Sequence, residues 1–111
     1  MTAGTLTSEQ VKATFREGLR GAGTHATVAV RPNGLPARRI SVTVGRRFGN
    51  AVRRNRLRRR LREAMRELET ELPGGIDVIC TPRSGALAAR FADLVASLRA
   101  ALSEAGSLAR G

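Results

Sequence analysis

Nine arginines fall between Arg46 and Arg62, at positions 46, 47, 53, 54, 56, 58, 59, 60 and 62, with no acid among them. A guanidinium group is planar, stays charged at neutral pH and donates two parallel hydrogen bonds to a phosphate. A run of one sign this dense is chemistry for a polyanion. The 111-residue chain carries a formal charge of +11, from 20 Lys+Arg against nine Asp+Glu, and Lys12 is the one lysine. Outside the run, 11 cations face nine acids, so the excess is a local patch and not a general bias. Like charge so concentrated repels itself in a compact fold, and an external anion removes that cost.

Other chemistry finds little support. Phosphodiester cleavage by protein groups needs paired carboxylates for metal ions or a positioned histidine. His25 is the one histidine, and it reads as a surface residue at the start of a strand. Glu63, Glu67 and Glu71 share a helix face, where ion pairs with neighbouring arginines are expected. Asp77 and Asp93 fall in different elements. The residues therefore offer no catalytic group, no metal ligand set and no cofactor intrinsic to the protein. Cys80 is a lone cysteine in an apolar run, which predicts a buried thiol and no intrachain disulfide. No apolar run approaches the roughly 20 residues of a membrane span. The N-terminus lacks the charged and apolar regions of a signal peptide, so no membrane association and a cytoplasmic location are expected.

The arginines need an element to present them. A helix is predicted over about 50–71, with Leu57, Leu61, Ala64, Met65 and Leu68 in one arc. The opposite arc holds Asn55, Arg59, Arg62 and Arg66, flanked by Arg56 and Arg58. Arg53, Arg54 and Arg60 lie nearer the apolar side, where their stems can cover core edges. Cations in a first turn oppose the helix dipole, a local cost that again favours an anion from outside.

Upstream, 1–5 reads as a flexible tail. Thr7 and Gln10 form a capping-box pattern, Leu6 and Val11 a hydrophobic staple, and Val11, Phe15 and Leu19 one stripe. Gly18, Gly21 and Gly23 then break this first helix. Strands are predicted at 26–31 and 38–45, joined through Pro32-Asn33-Gly34-Leu35-Pro36 as a β-hairpin. Pro73-Gly74-Gly75 ends the arginine helix, a buried strand follows at 76–81, and a last helix spans about 88–105. The order α-β-β-α-β-α in a chain this long predicts a single α+β domain, a sheet with helices packed on it.

A mixed-sign helix face is ordinarily just solvated, but an unbroken run of one sign is not an ordinary face. A calmodulin-type or membrane-surface helix is disfavoured because the core already claims its apolar side. A DNA-reading helix-turn-helix wants a tri-helical core, and this helix lies between strands. A ribosomal-protein-like RNA binder stays open on the residues alone.

The stretch from Phe48 to Met65 resembles the signature of the bacterial ribonuclease P protein component, the RNR motif. The match falls on Arg47, Gly49, Asn50, Ala51, Val52, Arg54, Asn55, Arg56, Arg58, Arg59 and Arg62. Phe15-Arg16-Glu17-Gly18 resembles the end of that family's first helix, and Thr81-Pro82 with Phe91, Leu94, Leu98 and Leu102 its last strand and helix. The resemblance implies a two-layer α/β sandwich, ribosomal protein S5 domain 2-like, with a left-handed β-α-β crossover around the arginine helix. It implies a protein subunit that assists a catalytic RNA in removing the 5′ leader of precursor tRNA, with Mg²⁺ held mainly by RNA. The partners implied are ribonuclease P RNA and precursor tRNA, with a monomer in the free state. The RNA-binding set is then Arg46, Arg47, Asn50, Arg53, Arg54, Asn55, Arg56, Arg58, Arg59, Arg62 and Arg66. Val11, Phe15, Thr27 and Ala29 are expected to line a cleft for the leader.

Overall fold

The computed structural model describes residues Leu6–Gly106, so the expected tail at 1–5 lies outside the described residues. Helix α1 spans Ser8–Glu17 and begins at a reciprocal capping box. Gln10 N–H donates to Thr7 Oγ1 at 3.3 Å, and Thr7 N–H to Gln10 Oε1 at 2.9 Å. Leu6 and Val11 pack together as the staple predicts, with Phe15, against Ala29 and Ile79.

Four strands follow the order β1-β2-β4-β3 in one sheet: β1 at Leu19–Ala22, β2 at Ala26–Pro32, β3 at Arg39–Val42 and β4 at Ile76–Pro82. Helix α2 spans Ala51–Leu68 between β3 and β4, and α3 spans Phe91–Glu104. Two expectations are corrected here. The glycine-rich stretch after α1 is an added strand, so the order reads α-β-β-β-α-β-α. The expected hairpin between the strands at 26–31 and 38–45 does not form. Strand β2 pairs antiparallel with β1 on one side and β4 on the other, and β3 pairs only with β4, in parallel.

The glycine of β1 serves close packing. A Cβ built on Gly21 would sit 1.8 Å from the Ala101 carbonyl oxygen of α3, so only a bare Cα lets the helix lie on this edge strand. Gly21→Ala forces α3 outward and is expected to cost about 2–3 kcal/mol, at the upper end for overpacking. Thermal melting checks this, and an unchanged midpoint would mean that the contact is soft.

Helices α2 and α3 cover one face of the sheet. Leu57, Leu61, Met65, Leu94, Leu98 and Leu102 pack there on Val28, Val30, Val42, Val78 and Cys80. Helix α1 packs on the other face. Burial pushes the Cys80 thiol up to about 12, so it stays protonated and inert at neutral pH.

The hand of the β3-α2-β4 connection follows from the chirality of Cys80. Its side chain enters the core under α2 and α3, and its carbonyl accepts the Thr43 N–H of the β3 segment at 2.9 Å. In an L-residue seen with the chain rising and the side chain toward the viewer, the N–H and C=O point right. Seen from the helices, β3 therefore lies to the right of β4. The chain leaves β3, crosses in front through α2 and enters β4 on the left, which is a left-handed crossover. About 98% of such connections run the other way.

Asp77 fastens the opposite end of the sheet. The register sets Arg31 of β2 and Arg39 of β3 on either side of it. Its fully buried carboxylate accepts Arg39 Nε at 2.7 Å, Arg39 Nη2 at 2.9 Å and Asn33 Nδ2 at 3.0 Å. Arg31 lies 3.6 Å away and reaches Glu17 of α1 at 3.0 Å. Burial pushes the Asp77 carboxyl up, but the bonds from Arg39 and Asn33 and the charges of Arg39 and Arg31 outweigh it and hold the group below its ordinary value.

Candidate nucleic-acid interface

The interface begins where β3 ends. Arg46–Phe48 form one 3-10 turn, and Arg47 lies 4.7 Å from the centroid of the Phe48 ring. Gly49 takes φ +111°, a conformation open to glycine, and the Arg53 stem lies against its Cα. Asn50 then caps α2, its Oδ1 accepting Arg53 N–H at 3.0 Å.

Along α2 the predicted split of faces is realised except at two positions: Arg53, expected nearer the apolar side, is exposed, and Arg58, expected beside the solvent arc, is half-buried. Arg53, Asn55, Arg56, Arg59, Arg62 and Arg66 are exposed, as are Arg46, Arg47 and Asn50 before the helix. Arg54, Arg58 and Arg60 are half-buried. Arg54 Nε is buried without a protein partner. Asn55 Oδ1 accepts Arg58 Nη1 at 2.6 Å, so one member of the motif aims another. Arg60 is structural, donating to the Leu87 carbonyl at 3.0 Å and the Ala89 carbonyl at 2.6 Å. It ties α2 to the loop before α3 and helps form a notch of about 480 Å³ with Arg56, Arg59, Glu63 and Leu87.

None of the ion pairs among the described residues uses an arginine between Arg46 and Arg66. The pairs expected along α2 for Glu63, Glu67 and Glu71 are therefore not formed. Glu71 pairs across to Arg99 of α3 at 2.9 Å, because the α2 terminus turns its acids toward that helix. That exposed pair lowers the Glu71 carboxyl and raises Arg99. The exposed α2 arginines, Arg53, Arg56, Arg59, Arg62 and Arg66, take part in none of these ion pairs among the described residues and face solvent. Val52, 75% exposed, sits among them as an apolar contact point.

A second feature lies between α1 and the sheet. Phe15, Thr27 and Ala29 line a cleft of about 240 Å³, with Arg20 and Ala22 of β1 and Glu104 of α3. Val11, placed there by the sequence reading, is not among the lining residues and packs with Leu6, Ala29 and Ile79. Ala29 is 1% exposed and forms only the floor. Arg20 was missed, because its strand was read as a helix break. Its one legible signal was a cation four residues after Arg16 and five after Phe15 in a basic chain, too weak to single it out.

Among the described residues no three His, Cys, Asp or Glu side chains converge as metal ligands. No described helix is long and apolar enough to cross a membrane. His25 is half-buried, its Nδ1 lacks a partner, and its backbone N–H donates to Ser97 Oγ at 3.2 Å.

Fold and surface together define a class: a small α+β domain that carries an arginine face suited to a polyanion on the helix of a left-handed crossover. The Ribonuclease P family model matches residues 5–106, and the chain belongs to that family. It is 49% identical over 77 residues to the ribonuclease P protein component of Gluconacetobacter diazotrophicus, covering 68% of this chain and 66% of that one. It is 36% identical to that of Kocuria rhizophila, covering 89% and 88%. Aligned stretches fall to 59% of the length among other curated relatives. The solved ribonuclease P protein from Thermotoga maritima superposes with a TM-score of 0.76 at 29% identity, covering 86% of this chain and 91% of that one.

Proposed function

We propose that the chain is the protein subunit of ribonuclease P. In this reading the arginine face of α2 binds the catalytic RNA, and the cleft beneath α1 takes the 5′ leader of precursor tRNA. The observation that carries it is the one-sign, exposed arginine face without acid partners, borne by a member of this family. The holoenzyme is an endoribonuclease whose chemistry belongs to the RNA, and the protein alone is inactive. Mg²⁺ is held mainly by RNA. The free protein is a cytoplasmic monomer.

The protein's task is then electrostatic. Catalytic RNA and substrate are both polyanions, and bound arginines screen their repulsion much as divalent ions do. The protein should lower the Mg²⁺ needed for leader removal, with a benefit that shrinks as Mg²⁺ rises. Leader cleavage by the reconstituted holoenzyme, followed across a Mg²⁺ titration, tests this. Replacing Arg54, Asn55 and Arg56 together with alanine should remove most of the benefit, whereas His25→Ala should leave it intact. Cleavage by RNA-free protein, or a large rate loss in folded His25→Ala, would move the chemistry onto the protein. No effect on leader removal at any Mg²⁺ would leave the chain a binder of some other structured RNA.

A further inference from the structure

A cleft that holds single-stranded RNA commonly offers rings for bases to stack on. Here Phe15 is the one aromatic among the described lining residues. What adjoins it comes from β1. Leu19 and Gly21 stand opposite Val30 and Val28, which point into the core under α2 and α3. Alternation therefore turns Arg20, opposite Ala29, to the α1 face. Its guanidinium carbon lies 5.6 Å from the Phe15 ring centroid, and its Nη2 donates to the Phe15 carbonyl at 2.6 Å.

These two contacts orient a long, exposed side chain before any ligand arrives, which lowers the ordering cost of binding. Arginine has five N–H donors, and among the described residues no other protein acceptor takes those that remain. Phe15 is half-buried and packs against Ala29 and Ile79, whereas Arg20 beside it is exposed, so the guanidinium is the more open surface for a base.

We infer that Arg20, backed by the Phe15 ring, is a single-nucleotide subsite: one leader base stacks on the guanidinium, and its free N–H groups hold the adjoining phosphate. Glu104 lines the same cleft without an ion pair to Arg20. Its carboxylate repels phosphate and accepts hydrogen bonds from exocyclic amines. The strand is thereby oriented with its backbone toward Arg20 and a base edge toward Glu104. This inference rests on the proposed reading that the cleft takes the leader.

The test is affinity of the reconstituted holoenzyme for precursor tRNA and for mature tRNA, with Arg20→Ala, Arg20→Lys and Phe15→Leu variants. Arg20→Ala should weaken precursor binding about tenfold, the scale of one lost stack, with mature tRNA and the melting temperature unchanged. Its salt dependence should flatten by about one phosphate contact, roughly 0.7 in log–log slope. Arg20→Lys should restore the slope but not the affinity, because an ammonium keeps the charge and lacks the plane. Full rescue by lysine would overturn the stacking role. Equal losses for both tRNAs, or none, would overturn the subsite. If Phe15→Leu and removal of the leader also change nothing, the cleft reading itself fails. If those two matter and Arg20→Ala does not, only this inference falls.

Discussion

Arg59→Ala combined with Arg62→Ala should weaken binding to the catalytic RNA by about two orders of magnitude, at roughly 1.5 kcal/mol for each charge-assisted hydrogen bond lost. Both residues are exposed, and neither has an acid partner in an ion pair among the described residues. Removing them breaks no ion pair among the described residues, so the melting temperature should hold or rise slightly as like-charge repulsion falls. The slope of log affinity against log salt should flatten by about 1.5–2, the share of two phosphate contacts. Arg60→Ala is the contrasting variant. Arg60 spends its guanidinium on the Leu87 and Ala89 carbonyls, so its loss should reach RNA only through a loosened loop. Filter binding or anisotropy across a salt series reads both. Unchanged affinity and slope in the double variant would mean that this face is merely solvated.

Asp77→Ala should destabilise the fold by about 3 kcal/mol, the lower end of the cost of breaking a buried ion pair from one side. The lower end applies because Arg31 and Arg39 keep some solvent access, with side chains 23% and 16% exposed. Against a domain stability of about 5–15 kcal/mol this is a large fraction. The melting midpoint should fall by roughly 10–20 °C. Glu71→Gln, at an ion pair whose side chains are 39% and 50% exposed, should cost under about 1 kcal/mol. The two variants differ because water already solvates one carboxylate and never reaches the other.

Acid should expose the same difference. Asp77 titrates below its ordinary value of 3.8 in the folded chain. The unfolded chain then binds the proton first, so the stabilisation is complete above that ordinary value and is lost as pH falls through the lower folded one. Asp77→Asn keeps the size of the side chain and should lose this acid dependence. Denaturant midpoints from neutral pH down to acid would show wild type and variant converging. A constant gap throughout would mean that the carboxylate is not ionised in the fold.

What the sequence determined by itself was whatever is written locally. The apolar arc Leu57, Leu61, Ala64, Met65 and Leu68 is buried as the 3.6-residue period requires. The opposite arc is exposed, and the Thr7–Gln10 box closes as its spacing predicts. The motif from Arg47 to Arg62 was legible for the same reason, since one helix carries most of it and period alone sets its faces. The 3-10 turn at Glu69–Glu71 replaced only the end of the predicted helix.

Tertiary structure decided everything that depends on which strand lies beside which. The turn composition between β2 and β3 suits a hairpin, yet β4, far along the chain, takes the place between them. Both β2 and β3 pair along that apolar strand instead of with each other. Insertion of β4 is also what gathers Arg31, Asp77 and Arg39 in one row, a constellation with no trace in sequence spacing. The glycines at 18, 21 and 23 look like helix breakers in isolation, and only the approach of α3 to β1 explains Gly21. With that strand comes Arg20, turned into the cleft by an alternation that is invisible until the strand itself is known.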